Sequence, residues 1–193
     1  MARPKRVEPT VRAVYLRPWR IDISRSPAAP SLVSAGTLAR TAADALTAAG
    51  APSPASIALI LSDDRELARL NDQHMDNHGP TDVLSFPLLP PSAFPPHAGK
   101  SHDQSVRRPV EPPYQRPARQ RQHLGDIVIS VERAIAQADQ GRGGQTGDVT
   151  WSSVDELRLL VVHGVLHISG WDHADPVERD AMRALEREVM GRV

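Results

Sequence analysis

Three histidines close to the C-terminus have the types and spacing to do chemistry, in the stretch VVHGVLHISGWDH from Val161 to His173. His163 and His167 are four residues apart, so on a helix they stack one turn apart on the same face. Gly170 follows three residues later, where a helix can end in a left-handed turn that a side chain with a Cβ resists. The chain can then reverse and return His173 to that face. Three converging imidazoles without a fourth protein ligand are the donor set of a catalytic zinc site, whose open position takes water. One histidine on an apolar helix is ordinarily a buried, hydrogen-bonded core residue. The pair, the glycine stop and the third histidine together exceed what core packing needs. The expectation is one Zn2+ ion on His163, His167 and His173.

The spacing HxxxHxxGxxH is shared with the metzincin proteases, which carry a glutamate directly after the first histidine as general base. Gly164 stands there instead. The ligand pattern is kept and the proteolytic base is missing, which argues against peptide hydrolysis by that route.

The elements that must position these residues can be read from the chain. Residues 1–10 read as a disordered tail, and Val11 to Ile23 contains a strand. Leu38 to Ala49 is an alanine-rich helix stopped by Gly50. Ser56 to Leu61 is a short apolar strand, and Ser62-Asp63-Asp64-Arg65 caps a helix reaching about Gln73. Thr81 to Phe86 is a strand closed by Pro87. Eight prolines in residues 90–121 argue against regular structure there and suggest a mobile insertion at about 89–123. Leu124 to Val131 is a mostly buried strand, followed by a helix from Glu132 to Gln140. Ser153 and Glu156 have capping-box spacing and open a helix through Ser169 that is apolar nearly all round, hence central and buried. Burying His163 and His167 on such a helix is costly unless a metal compensates. A last amphipathic helix runs from Pro176 to Met190. The alternation lacks a clean βαβ series, so the expected fold is α+β, a small mixed β-sheet packed with helices. Residues 11–193 are expected to form a single metal-dependent hydrolase domain.

Composition excludes several classes. The chain has 193 residues, 23 basic and 23 acidic side chains and no cysteine. Disulfides and thiolate metal sites are ruled out. No global field announces a polyanionic partner, yet two segments are basic. Residues 1–20 hold Arg3, Lys5, Arg6, Arg12, Arg17 and Arg20 against Glu8, and residues 90–123 hold Lys100, Arg107, Arg108, Arg116, Arg119 and Arg121 against Asp103 and Glu111. Such segments are either nucleic-acid footprints or solubilising tails. The N-terminus MARPKRVEP has no apolar stretch after it and does not read as a signal peptide, and no apolar run approaches bilayer length. The expected location is the cytoplasm, with no membrane partner.

Three segments, LNDQHMDNHGPTDVLSFPL (Leu70 to Leu88), LGDIVIS (Leu124 to Ser130) and the histidine stretch, resemble the YbeY family of bacterial ribosomal RNA maturation endoribonucleases. Weaker similarity extends through Met182 and Glu186. The resemblance implies a zincin-like, zinc-dependent α+β hydrolase with His163, His167 and His173 as ligands. It implies cleavage of single-stranded RNA, maturation of the 3′ end of small-subunit ribosomal RNA and ribosome quality control, with ribosomal RNA and the small ribosomal subunit as partners. It also brings Asp126 near the site, to orient an imidazole or handle a proton, and lets Ser85 reach the substrate backbone as a second catalytic candidate. The ordinary roles would be a strand-start hydrogen bond for Asp126 and a plain strand serine for Ser85. Asp172 either assists His173 or caps the turn after Gly170. The general base and the oligomeric state stay open. His74, His78, His97 and His102 read as ordinary exposed histidines.

Two departures from the family stand out. The family commonly places an arginine at the position aligned with Met75, where it would neutralise charge on a phosphodiester. Arg65, Arg69 or the basic insertion would have to supply that cation, and Met75→Arg should raise cleavage if charge is what is missing. The insertion itself is longer than usual, either an RNA-gripping arm or an inert loop. Deleting residues 92–120 alters RNA affinity and its salt slope only in the first case. Two other readings share the zinc pattern: a metalloprotease or other hydrolase, and a non-catalytic ribosome-binding module with structural zinc.

Overall fold

The computed structural model describes residues 11–74, 79–100, 121–141 and 151–191. Period-2 apolar patterns form five strands, β1 (Arg12–Leu16), β2 (Trp19–Arg25), β3 (Ala55–Ser62), β4 (Val83–Pro87) and β5 (Gln122–Ser130), in one sheet of order β1-β2-β3-β5-β4. The strand expected within Val11 to Ile23 is a hairpin of two. β2, β3 and β5 are parallel, while β1 and β4 pair antiparallel at the two edges. The α+β class and the mixed sheet are as expected. A βαβ unit is nevertheless present, because α1 (Ala35–Ala48) crosses from β2 to its parallel neighbour β3.

Strand alternation sorts the sheet into two faces. Ile57 and Leu59 of β3 pair with Gly125 and Ile127 of β5, and with Leu38, Leu46, Val161 and Val165 they belong to the main core under α1 and α4 (Ser153–Ile168). Leu84 and Val128 point to the other face and bury Leu67 of α2 (Asp64–His74). Each fully buried Leu or Ile contributes about 1.5–3 kcal/mol, so the face carrying α1 and α4 holds most of the stability. α3 (Val131–Asp139) and α5 (Pro176–Val189) complete the helices. No described helix is long and apolar enough to cross a membrane.

Local chemistry shifts three boundaries. α1 begins at Ala35, ahead of Leu38, because Ser34 Oγ accepts the Thr37 N–H at 3.1 Å. Ser62 ends β3, and Asp63 is the side chain that accepts the Glu66 N–H, at 2.9 Å. The capping box of α4 is Ser152 with Asp155, one residue before the expected Ser153 and Glu156. Glu156 is withdrawn from it by the Trp151 indole, which donates to Glu156 Oε2 at 2.6 Å.

The proline-rich insertion also differs from expectation over its first part. Pro91–Ala93 form a 3-10 turn, Phe94 is buried, and His97 has a side chain only 10% exposed. His97 is therefore not an ordinary exposed histidine: its ring lies flat on Trp171, with centroids 3.8 Å apart. The remainder of the insertion (101–120), the 1–10 tail, Met75, His78 and His102 lie outside the described residues.

Candidate metal centre

α4 presents His163 and His167 toward a cleft of about 480 Å3 between α4, β4 and the turn that follows. The helix stops as a Schellman motif: Gly170 N–H donates to the His167 carbonyl at 3.1 Å and Trp171 N–H to the Leu166 carbonyl at 3.1 Å. Gly170 has φ +88°, the left-handed conformation this ending requires. The reversal returns His173, and ligating atoms of the three histidines all lie within 4.8 Å of one another. His163 and His167 are half-buried, and His173 is exposed.

The donor set fits a cation. His163 Nδ1 donates to Glu186 Oε1 of α5 at 2.7 Å, and His167 Nδ1 donates to the Trp171 carbonyl at 3.0 Å. A carboxylate and a carbonyl only accept, so both imidazoles carry their proton on Nδ1. Their Nε2 atoms are then bare lone pairs facing each other at 3.0 Å. In the neutral rings two such lone pairs repel unless a proton or a metal cation lies between them. Tetrahedral zinc, with Zn–N bonds of about 2.0–2.1 Å, separates its nitrogens by roughly 3.3 Å, close to what these two show. Burial, and then the neighbouring His163 and His173, push the His167 pKa down to about 4, which keeps that ring neutral and able to ligate at pH 7. The Asp172 carboxyl is held below its usual range, chiefly by the His173 N–H; it caps the turn, with Oδ1 accepting that N–H at 2.7 Å.

Gly164 has a packing reason. A Cβ there would lie 2.6 Å from Ile127 Cγ2 and 3.3 Å from Val83 Cγ2. This side of α4 is pressed onto the sheet, so the position that carries glutamate in metzincins does not face the cleft.

The two catalytic candidates part company. Ser85 lines the cleft, and its hydroxyl donates to the Gly164 carbonyl at 3.2 Å, tying β4 to α4. Asp126 is not brought to the histidine cluster. It alternates with Ile127, so it points to the α2 face, where its register partner is Phe86. His123 Nε2 meets its Oδ1 at 2.7 Å, and Ser56 Oγ lies 3.1 Å from His123 Nδ1. Arg65 and Arg69, the cations considered in place of an arginine at 75, sit on α2, on that same face. Arg69 is engaged by Glu66 at 2.6 Å and by Gln73 at 2.6 Å. The cleft is lined instead by Lys100, from the insertion.

Sequence reasoning missed Glu186 and Glu178 as functional positions. Both are buried carboxylates on the inner side of α5, beside Met182. The signal available was their i, i+8 spacing on the apolar face of an amphipathic helix, where an acid needs a partner.

The chain is also similar to known proteins. The family model described as Endoribonuclease YbeY matches residues 30–193. A protein of Roseiflexus castenholzii named endoribonuclease YbeY is 33% identical over 172 residues, covering 89% of this chain and 91% of that protein. One of the same name from Pelotomaculum thermopropionicum is 35% identical over 158 residues, covering 82% and 85%.

Proposed function

This chain belongs to the YbeY endoribonuclease family, and from that premise we propose that it is a zinc-dependent endoribonuclease of single-stranded RNA. In this reading it acts in the cytoplasm, on ribosomal RNA and the small ribosomal subunit, in maturation of the small-subunit 3′ end and in ribosome quality control. The observation that carries it is the cluster of His163, His167 and His173, with two Nε2 atoms 3.0 Å apart and an acceptor on the far side of each of those two rings.

His163, His167 and His173 would hold one Zn2+ ion. Bound there, zinc supplies Lewis-acid stabilisation to a phosphoryl oxygen and makes a water acidic enough to act near neutral pH. The protein's own residues prepare that chemistry. Glu186 holds His163 in one tautomer and orientation, as an outer carboxylate does for a ligand imidazole. The Trp171 carbonyl does the same for His167. Ser85 fixes the distance between β4 and α4 and offers a hydroxyl at the cleft wall. Asp126 takes a structural role with His123 and Ser56.

The test is cleavage of a labelled single-stranded RNA, with and without a chelator, beside His167→Ala. Chelator-sensitive cleavage that the variant lacks is the expected result. A folded, zinc-loaded protein that leaves RNA intact refutes the reading.

A further inference from the structure

Two cavities meet at the histidines. Lys100 lines one, Arg179 and Arg183 line the other, and His163, His173 and Asp82 line both. Cations therefore flank the cluster on two sides, from segments far apart in sequence. Arg179 and Arg183 are four residues apart on α5, hence neighbours on one face. Arg183 is exposed, and Arg179 meets Asp180 at 3.5 Å, a surface pair that contributes little.

Lys100 is delivered by the insertion, and the insertion is held for the purpose. The ring of His97 stacks on Trp171, and its Nε2 meets Glu178 Oε1 at 2.8 Å. Glu178 is 5% exposed and also accepts the Asp172 N–H, at 2.7 Å. Lys100 Nζ donates to the Gly170 carbonyl and lies 3.9 Å from Glu178 Oε1. The same turn that returns His173 thus seats the lysine. An ammonium has three N–H donors, so those beyond the Gly170 bond can serve a ligand in the cleft.

The carboxylates along the two cavities each accept hydrogen bonds from neighbouring groups. Asp82 accepts from Val83 N and Gln137 Nε2, Glu156 from Trp151, Glu186 from His163 and Asp172 from the His173 N–H. Neutral donors leave those carboxylates charged, so Lys100, Arg179 and Arg183, the lysine and arginines lining the two cavities, are what can draw an anion there.

We propose that Lys100, Arg179 and Arg183 are phosphate-positioning residues: they bind backbone phosphates on either side of the one placed at the histidines. The RNA strand then runs from the Lys100 cavity, across the histidine cluster, to the α5 arginines. This rests on the ribonuclease reading and deepens it by giving the strand a path. Lysine suits the role as a point charge, and arginine as a two-pronged donor.

The test is binding of a fluorescent 2′-O-methyl oligoribonucleotide to the zinc-loaded protein across a salt series, with the probe checked for integrity. Each lost phosphate contact lowers the slope of log K against log salt by about 0.7 for a single strand. Lys100→Gln should lose about 0.7 and the Arg179→Gln, Arg183→Gln double variant about 1.4. Lys100→Arg should keep the wild-type slope, as should Arg69→Gln on α2, outside both cavities. Zinc affinity should be unchanged throughout. If wild type binds and Lys100→Gln has the slope of Arg69→Gln, the path is wrong and the ribonuclease reading stands. If wild type neither binds nor cleaves, that reading fails and takes the path with it.

Discussion

Glu186→Gln isolates what the buried carboxylate does for the histidines. Glu186 is 8% exposed, and its Oε1 accepts His163 Nδ1 at 2.7 Å. Glutamine has the same shape and keeps an acceptor oxygen, so packing is retained and only the charge is lost. A hydrogen bond to a charged group contributes about 1.5–3 kcal/mol and a neutral one about 0.5–1.5. The difference, about 1–1.5 kcal/mol, corresponds to zinc bound about five- to thirteenfold more weakly. Glu186→Ala removes the acceptor as well and should weaken binding about 10–100-fold. Competition with a chromophoric chelator at constant pH reads both values, with Arg187→Gln as the control. Thermal unfolding gives an independent reading. A tenfold weaker site loses about 1.4 kcal/mol of zinc-dependent stabilisation in excess metal, or about 3–6 °C for a chain of this size, while the metal-free protein moves less. If both variants bind zinc within twofold of wild type, Glu186 does not orient His163 and the argument from tautomers fails.

Gly164→Ala places a methyl 2.6 Å from Ile127 Cγ2; denaturant unfolding should show a loss of about 1–3 kcal/mol from overpacking, with weaker zinc as α4 lifts off the sheet. In the protein stripped of metal, His167 has a folded pKa near 4, below the free value of about 6.5. The unfolded chain therefore takes its proton first, and the His167 contribution to stability is full above pH 6.5 and falls away between 6.5 and 4. That loss amounts to about 3 kcal/mol, and His167→Gln should lack this step in a pH series of unfolding curves. Asp126→Asn should leave the cleavage rate unchanged, because its partner is His123; a hundredfold loss would restore it as a catalytic group. Ser85→Ala should cost about 0.5–1.5 kcal/mol of stability through the Gly164 carbonyl, with cleavage reduced tenfold or less.

Much of this was legible in the chain because it depends on local spacing. The i, i+4 histidines, the glycine stop and the third histidine are properties of one helix and one turn. They specify the centre before any long-range contact is known, since helix periodicity and Schellman geometry are set within a few residues. The buried character of α4 and the mixed α+β class were likewise written in apolar patterning. What only the tertiary structure decided is which distant residues meet that centre. Asp126 and Ser85 both sit on strands with similar claims, and the sheet's alternation sends one to α2 and the other to the cleft. Glu186 reaches His163 across a sequence separation of 23 residues, and His97 reaches Glu178 across 81. The Gly164 position became intelligible only when β5 was placed against it. Proline-rich composition argued for a loose insertion, yet stacking on Trp171 and a buried carboxylate hold its first part in place. Local sequence sets backbone conformation and ligand spacing, whereas a buried charge's partner is set by which elements pack together.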